Sequence, residues 1–154
     1  MLIVNYFPGS YGDRYISTVL GKEPKINEHG HTKNGYDPIL KFPEFYTNQN
    51  KATILKDLSK EHRVIGAHRQ EGFDFGEYTV VSIDPRNKLD IVAKRFLYQI
   101  ENKVITHKNQ NIIERVIETQ GRAVLLPILI KEILKWCEIN ILPMDKIVDI
   151  NELV

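Results

Sequence analysis

The chain carries a single cysteine, Cys137, so no disulfide can form within it. That fits a reducing compartment. It has little in the way of long apolar runs. The one extended stretch, "AVLLPILI" at 123–130, falls far short of the roughly 20 residues that a bilayer span needs. The N-terminus, "MLIVNYF", lacks the basic region and the small-residue cleavage site of a signal peptide, so the cytoplasm is the expected location. Charge of one sign is also missing: 21 Lys and Arg stand against 20 Asp and Glu, a net +1. No global field draws the chain to nucleic acid or to a membrane, and any anion site must be local. There are no internal repeats and no low-complexity tracts. A Walker A loop is absent too, since Gly9 and Gly12 are too close together and no lysine follows them. Ordinary ATP hydrolysis and small-nucleotide kinase chemistry are therefore not expected.

What remains is an ordinary globular composition. The 154 residues are 42% hydrophobic and 27% charged, enough for one domain over 1–154 with one sizeable core. Ile, Lys and Asn are abundant, and their AT-rich codons suit a low-GC bacterium or its phage. A virion-associated location is therefore carried beside the cytoplasmic one.

Short apolar runs at 2–7, 63–69, 78–84 and 146–150 read as strands, the first nearly continuous, as in a sheet buried on both faces. Helical spacing of Ala52, Leu55 and Leu58 predicts a helix over 48–62. Leu89, Val92, Phe96 and Ile100 predict another after Asp84 and Pro85, a cap followed by a first-turn proline. Asp13 is expected to cap a short helix that stops at Gly21. Residues 109–138 read as mostly helical, with a kink or break at Pro127, and 22–43 as a long polar excursion. The fold expected is α/β, a three-layer αβα arrangement around a mostly parallel sheet of about four strands. The link between the second and third strands is short for a parallel crossover.

In such a sheet, ligands bind beyond the carboxyl ends of the strands. Three ends carry cationic groups: Arg14 after the first, His68 and Arg69 after the second, Arg86 and Lys88 after the third. If they converge, they form an anion site for phosphate or sulfate, with Gly9 and Gly12 letting backbone amides come close. The bland alternative is three solvated loop ends, and for "NYFPGSYGDRY" (5–15) a tight turn that simply needs glycine.

A strand followed by "YFPGSYG" and a helix resembles the phosphosulfate-binding loop of sulfotransferases, a branch of the P-loop proteins. "RVIGAHR" is similar to that family's second strand, which ends in a catalytic histidine matched by His68. "VVSIDPRNKLDIVAKRF" is similar to its third strand and 3′-phosphate helix, and "KIVDINELV" to its later strand. The resemblance implies a P-loop-type fold and a sulfuryl or phosphoryl transferase with 3′-phosphoadenosine 5′-phosphosulfate as donor and no metal. Gly9, Ser10, Gly12 and Arg14 would hold the donor's phosphate. Arg69, Arg86 and Lys88 would hold a second anionic group, and His68 would take a proton from the acceptor hydroxyl.

The pattern departs from the family at several positions, and Ile91 stands near that of its serine. Gly9 replaces the loop's basic residue, Tyr11 its glycine, and Ile83 the 3′-phosphate arginine. These departures raise the alternative of a non-catalytic sulfotransferase-like protein serving in an assembly or a virion, with a homo-oligomer as one form.

Two other groupings carry less. Glu28, His29 and His31 offer adjacent metal-type ligands in the polar excursion, short of the three or four placed ligands a site needs. Leu125, Leu129, Ile133 and Trp136 form a helical stripe that faces either the core or a partner. Cys137 beside it has no cationic partner in sequence that would make it a nucleophile.

Overall fold

The structure is a computed structural model and describes residues 1–20, 45–47, 49–71 and 73–153. The polar excursion, the Gly21 stop and the Glu28, His29 and His31 grouping lie outside the described residues. Four strands, β1 (Leu2–Asn5), β2 (Val64–Ala67), β3 (Thr79–Asp84) and β4 (Lys146–Asp149), form one sheet in the order β2-β1-β3-β4. Every neighbouring pair is parallel. The register places Ile3 between Ile65 and Val80, and Val4 beside Val81. Successive side chains point to opposite faces, so β1, β2 and β3 each feed two layers, while the edge strand β4 stays largely exposed.

On one face, Ile3, Ile65, Ala67 and Val80 pack with Leu55 and Leu58 of α2 (Lys51–Glu61) and with Phe45, Phe73 and Phe75. On the other, Val4 and Ile83 pack with α3 (Leu89–Glu101) and α5 (Leu126–Asn140). The short α1 (Gly12–Arg14), which runs on as a wider π-helical turn over Tyr15–Val19, contributes Ile16 there. The peripheral α4 (Gln110–Gln120) buries only Ile113. No helix among the described residues is long and apolar enough to cross a membrane.

The α/β class and the parallel four-strand sheet agree with expectation, and the helix faces follow their patterns. Val92, Phe96 and Ile100 are buried in α3 as their spacing requires. Leu125, Leu129 and Ile133 face the core, joined by Cys137 and with Trp136 partly buried against it, so the stripe packs inward. Two details differ. Asp13 does not cap α1: Tyr11 holds that position, and Asp13 sits in the first turn, where its charge faces the helix's positive end. Pro127 breaks nothing, because it stands in the first turn of α5, where its missing N–H has no intrahelical partner to lose.

The short link over 68–78 joins two strands that flank β1, so it must cross β1. Its described residues form no helix. Phe73 and Phe75, 5% and 2% exposed, fill the space that a crossover helix would cover. Their rings touch edge to face at 4.8 Å, an arrangement that adds attraction beyond buried area.

Candidate functional site

From β1 the chain steps one way to β2, then back past β1 to β3. The strand order therefore reverses between β1 and β3, and in open α/β sheets the ligand crevice lies at the carboxyl ends of such a pair. The segment leaving β1 there is Tyr6–Gly12. Phe7 to Ser10 form a tight turn: the Ser10 N–H donates to the Phe7 carbonyl at 3.0 Å. Pro8 takes the first central position and Gly9, at φ 87°, the second. That is the chemistry of a type II turn, which requires a positive φ at its second central residue. A Cβ on Gly9 would also lie 3.1 Å from Phe96 and Gln99 of α3.

Gly12 has a different reason. A Cβ there would fall 1.9 Å from the Tyr6 ring, so Gly12 lets α1 pack directly on that ring. Both glycines are thus accounted for by a turn and a close approach. The polar atom that the turn leaves over is Ser10 Oγ. Ser10 is 3% exposed, and its hydroxyl has no hydrogen-bond partner among the described residues. Such a group costs about 1–3 kcal/mol unless something satisfies it.

His68, at the end of β2, is brought to this loop. Its ring stands edge-on to Tyr6 at 4.4 Å, and Nδ1 lies 2.8 Å from the Tyr6 carbonyl. A carbonyl only accepts, so Nδ1 carries the proton and Nε2 the lone pair. Burial pushes the imidazole pKa down to about 4, against smaller upward pulls from the Tyr6 carbonyl and Asp13. The ring is neutral at pH 7.

The other expected residues divide. Arg14 is exposed in the last turn of α1. Lys88 is half-buried in the 3₁₀ turn Arg86–Lys88 that leads into α3. Arg86 folds back on its own strand end, donating from Nε and Nη2 to the two Asp84 oxygens at 2.8 Å each. Asp84 also accepts the Arg86 N–H at 3.0 Å, but it does not cap the helix as its place before Pro85 suggested: Pro85 holds the cap position of the 3₁₀ turn and Lys88 that of α3.

Arg69, expected in the crevice, is instead buried on the α2 face. Its guanidinium donates to both Asp145 oxygens at 2.6 and 3.0 Å, and to the Asn140 carbonyl at 2.7 Å. Asn5 and Ser82, register partners on β1 and β3, complete the network. Asn5 accepts from the Arg69 N–H at 2.9 Å and donates to Ser82 and to the Asn140 carbonyl, each at 3.0 Å. Ser82 donates to Asp145 at 2.5 Å. The physical reason is local. The crossover over 68–78 has no helix to hold it, and a buried guanidinium is tolerated only with its fork filled. The pair ties that crossover to the turn between α5 and β4.

Arg95 of α3 was not anticipated. Its Nε donates to the Ser10 carbonyl at 3.2 Å, and its guanidinium lies over the Tyr11 ring at 4.6 Å. Its Nη2 stands 3.6 Å from Asp13 Oδ1. Cys137 is buried near Asp84, and burial pushes its thiol up to about 12, which makes it an inert core residue. Among the described residues no group of metal-type ligands gathers.

No family model matches this chain, and no curated protein or solved structure matches it either.

Proposed function

We propose that this chain is a sulfotransferase-like P-loop protein that binds the phosphate of a nucleotide donor at the loop following β1. The observation that carries this is Ser10 Oγ, buried and unpartnered at the β1/β3 reversal. A tetrahedral oxyanion would satisfy it. Gly9, Ser10 and Gly12 shape the loop, and Arg14 flanks it. The donor in this reading is 3′-phosphoadenosine 5′-phosphosulfate, which supplies an activated sulfuryl group. The part of His68 is to receive the acceptor's hydroxyl proton at Nε2. Lys88 comes first for the second anionic group, because Arg69 and Arg86 are paired with aspartates and Arg86 would have to release Asp84 before it could join.

That engagement favours a second reading, a non-catalytic binding or assembly protein, virion-associated in a phage setting. A base with a pKa near 4 is also weaker than general-base catalysis at neutral pH prefers.

The test is a thermal-shift titration with 3′-phosphoadenosine 5′-phosphate, ATP and sulfate on the wild type and on Ser10→Ala. A ligand that binds only the folded state raises the melting temperature. A selective shift with the bisphosphate, lost in the variant, supports a donor site, and no shift with any of them removes it. Loss of turnover in a folded His68→Ala then separates a transferase from an assembly protein. The latter is expected to show a stable oligomer by light scattering that the substitution leaves unchanged.

A further inference from the structure

Arginine forks differ across this molecule in whether they are closed. Arg69 and Arg86 each present two nitrogens to two oxygens of one aspartate. Arg95 does not. Its Nε is anchored on the Ser10 carbonyl at 3.2 Å and its plane is held over the Tyr11 ring. Neither Nη donates a hydrogen bond among the described residues. The nearest carboxylate oxygen, Asp13 Oδ1 at 3.6 Å, is beyond hydrogen-bond range and is itself buried without a hydrogen-bond partner. The guanidinium is thus fixed in position with its outer edge unspent. It is fixed on the carbonyl of the residue whose own hydroxyl lacks a partner.

We infer that Arg95 is the cation that binds a terminal phosphate at this loop, and that Asp13 is the partner it exchanges for that phosphate. This rests on the nucleotide-binding reading and names the group that carries it. The ligand class is a phosphomonoester dianion, from a nucleotide end or from free phosphate. Such an oxyanion fills both Nη positions at once, and charge-assisted bidentate bonds are about twice as strong as neutral ones. A loose, half-exposed carboxylate contact, with side chains 31% and 42% exposed, is worth little by comparison. Ser10 Oγ gains a partner in the same event. The loop itself lacks a basic residue at Gly9, and the charge arrives from α3 instead.

The experiment is isothermal calorimetry of 3′-phosphoadenosine 5′-phosphate, and separately of inorganic phosphate, on the wild type, Arg95→Gln, Arg95→Lys and Asp13→Asn. The affinity is expected to fall about 10-fold or more in Arg95→Gln. Arg95→Lys falls between, because a lysine keeps the charge without the fork. Asp13→Asn, which removes the competitor, is expected to tighten binding about 3- to 10-fold. That opposite sign is one a merely destabilised loop could not produce. Wild-type binding left unchanged by Arg95→Gln, or weakened by Asp13→Asn, overturns this inference and leaves the nucleotide reading standing. No heat with either ligand on the wild type overturns both.

Discussion

Arg69 with Asp145 and Arg95 with Asp13 are the same two side-chain types in different surroundings. The first pair is bidentate, with its closest contact at 2.6 Å, and its side chains are 2% and 1% exposed. The second is a single contact at 3.6 Å at the rim of a loop. The first is surrounded by Asn5, Ser82 and the Asn140 carbonyl, which complete nearly every bond the ions can make. Among the described residues, Arg69 Nε is left without a hydrogen-bond partner. In the second, Asp13 Oδ1 makes no hydrogen bond among the described residues, and neither does the neighbouring Ser10 hydroxyl. Burial and completeness turn one pair into a brace for the crossover over 68–78. Looseness and incompleteness leave the other able to change partners.

The sharpest way to break this comparison is to remove one carboxylate from each pair. Asp145→Ala leaves a buried guanidinium uncompensated, and unfolding in urea is expected to show a loss of about 3–5 kcal/mol. Asp13→Ala is expected to cost less than about 1 kcal/mol. If the two losses were equal, the distinction between brace and exchangeable pair would fall. Replacing both members of the buried pair with apolar residues, Arg69→Met with Asp145→Leu, is expected to recover much of the stability lost in Asp145→Ala.

The glycines of the loop come next. Gly12→Ala drives a methyl into the Tyr6 ring, with the Cβ at 1.9 Å. The ring must move, at a cost of roughly 1–3 kcal/mol, read as a lower urea midpoint. Since the same ring meets His68 edge-on, the variant also displaces the histidine. The nitrogen-15 shifts of the imidazole should report this. Unchanged shifts would show that the Tyr6–His68 contact does not couple the loop to β2.

Much of this fold could be read from apolar spacing alone. Runs such as "LIVN" and "TVVSID" are strands in a sheet buried on both faces, and the stripe of α3 needs no tertiary knowledge. The brace was half-visible: Asn5 interrupts "LIVNYF" and Ser82 interrupts "YTVVSID", polar residues inside runs otherwise fit for the core. A buried polar residue implies a partner, but nothing along the chain says that the partner is Asp145, 63 positions from Ser82. Arg69 was misplaced for the same reason, since a strand-end arginine points out or in according to what waits for it. Arg95 sits on a helix among other charges, and only the docking of α3 against the Gly9 turn brings it to the loop. The glycines stand out in the sequence, but spacing cannot tell a glycine that admits a ligand from one that admits a tyrosine ring.

The pH response tests whether His68 is held neutral. Its pKa in the folded state, about 4, lies below its unfolded value of 6.5. Its neutral form therefore contributes stability that is fully present above pH 6.5. That contribution is lost as pH falls from 6.5 toward 4, where the unfolded chain takes up a proton the folded chain refuses. A stability–pH profile of His68→Gln should be flatter over that window than the wild type's. Parallel profiles would mean that His68 is protonated with the fold intact, and the assignment of Nε2 as the lone-pair nitrogen at low pH would fail.

The smallest effect is expected at the third pair. Arg86 closes its fork on Asp84 as Arg69 does on Asp145, yet the arginine side chain is 45% exposed and the aspartate 19%. Water already solvates much of that guanidinium, so Arg86→Ala should cost no more than about 1 kcal/mol. This separates the two variables that the other pairs confound. If closing the fork were what makes a brace, Arg86→Ala would approach the loss seen at Asp145. If burial decides, it will behave like Asp13→Ala despite its better geometry. The second outcome also bears on ligand binding. A closed but solvated fork can be opened by a phosphate at modest cost, whereas Arg69 cannot be recruited without dismantling the crossover it holds.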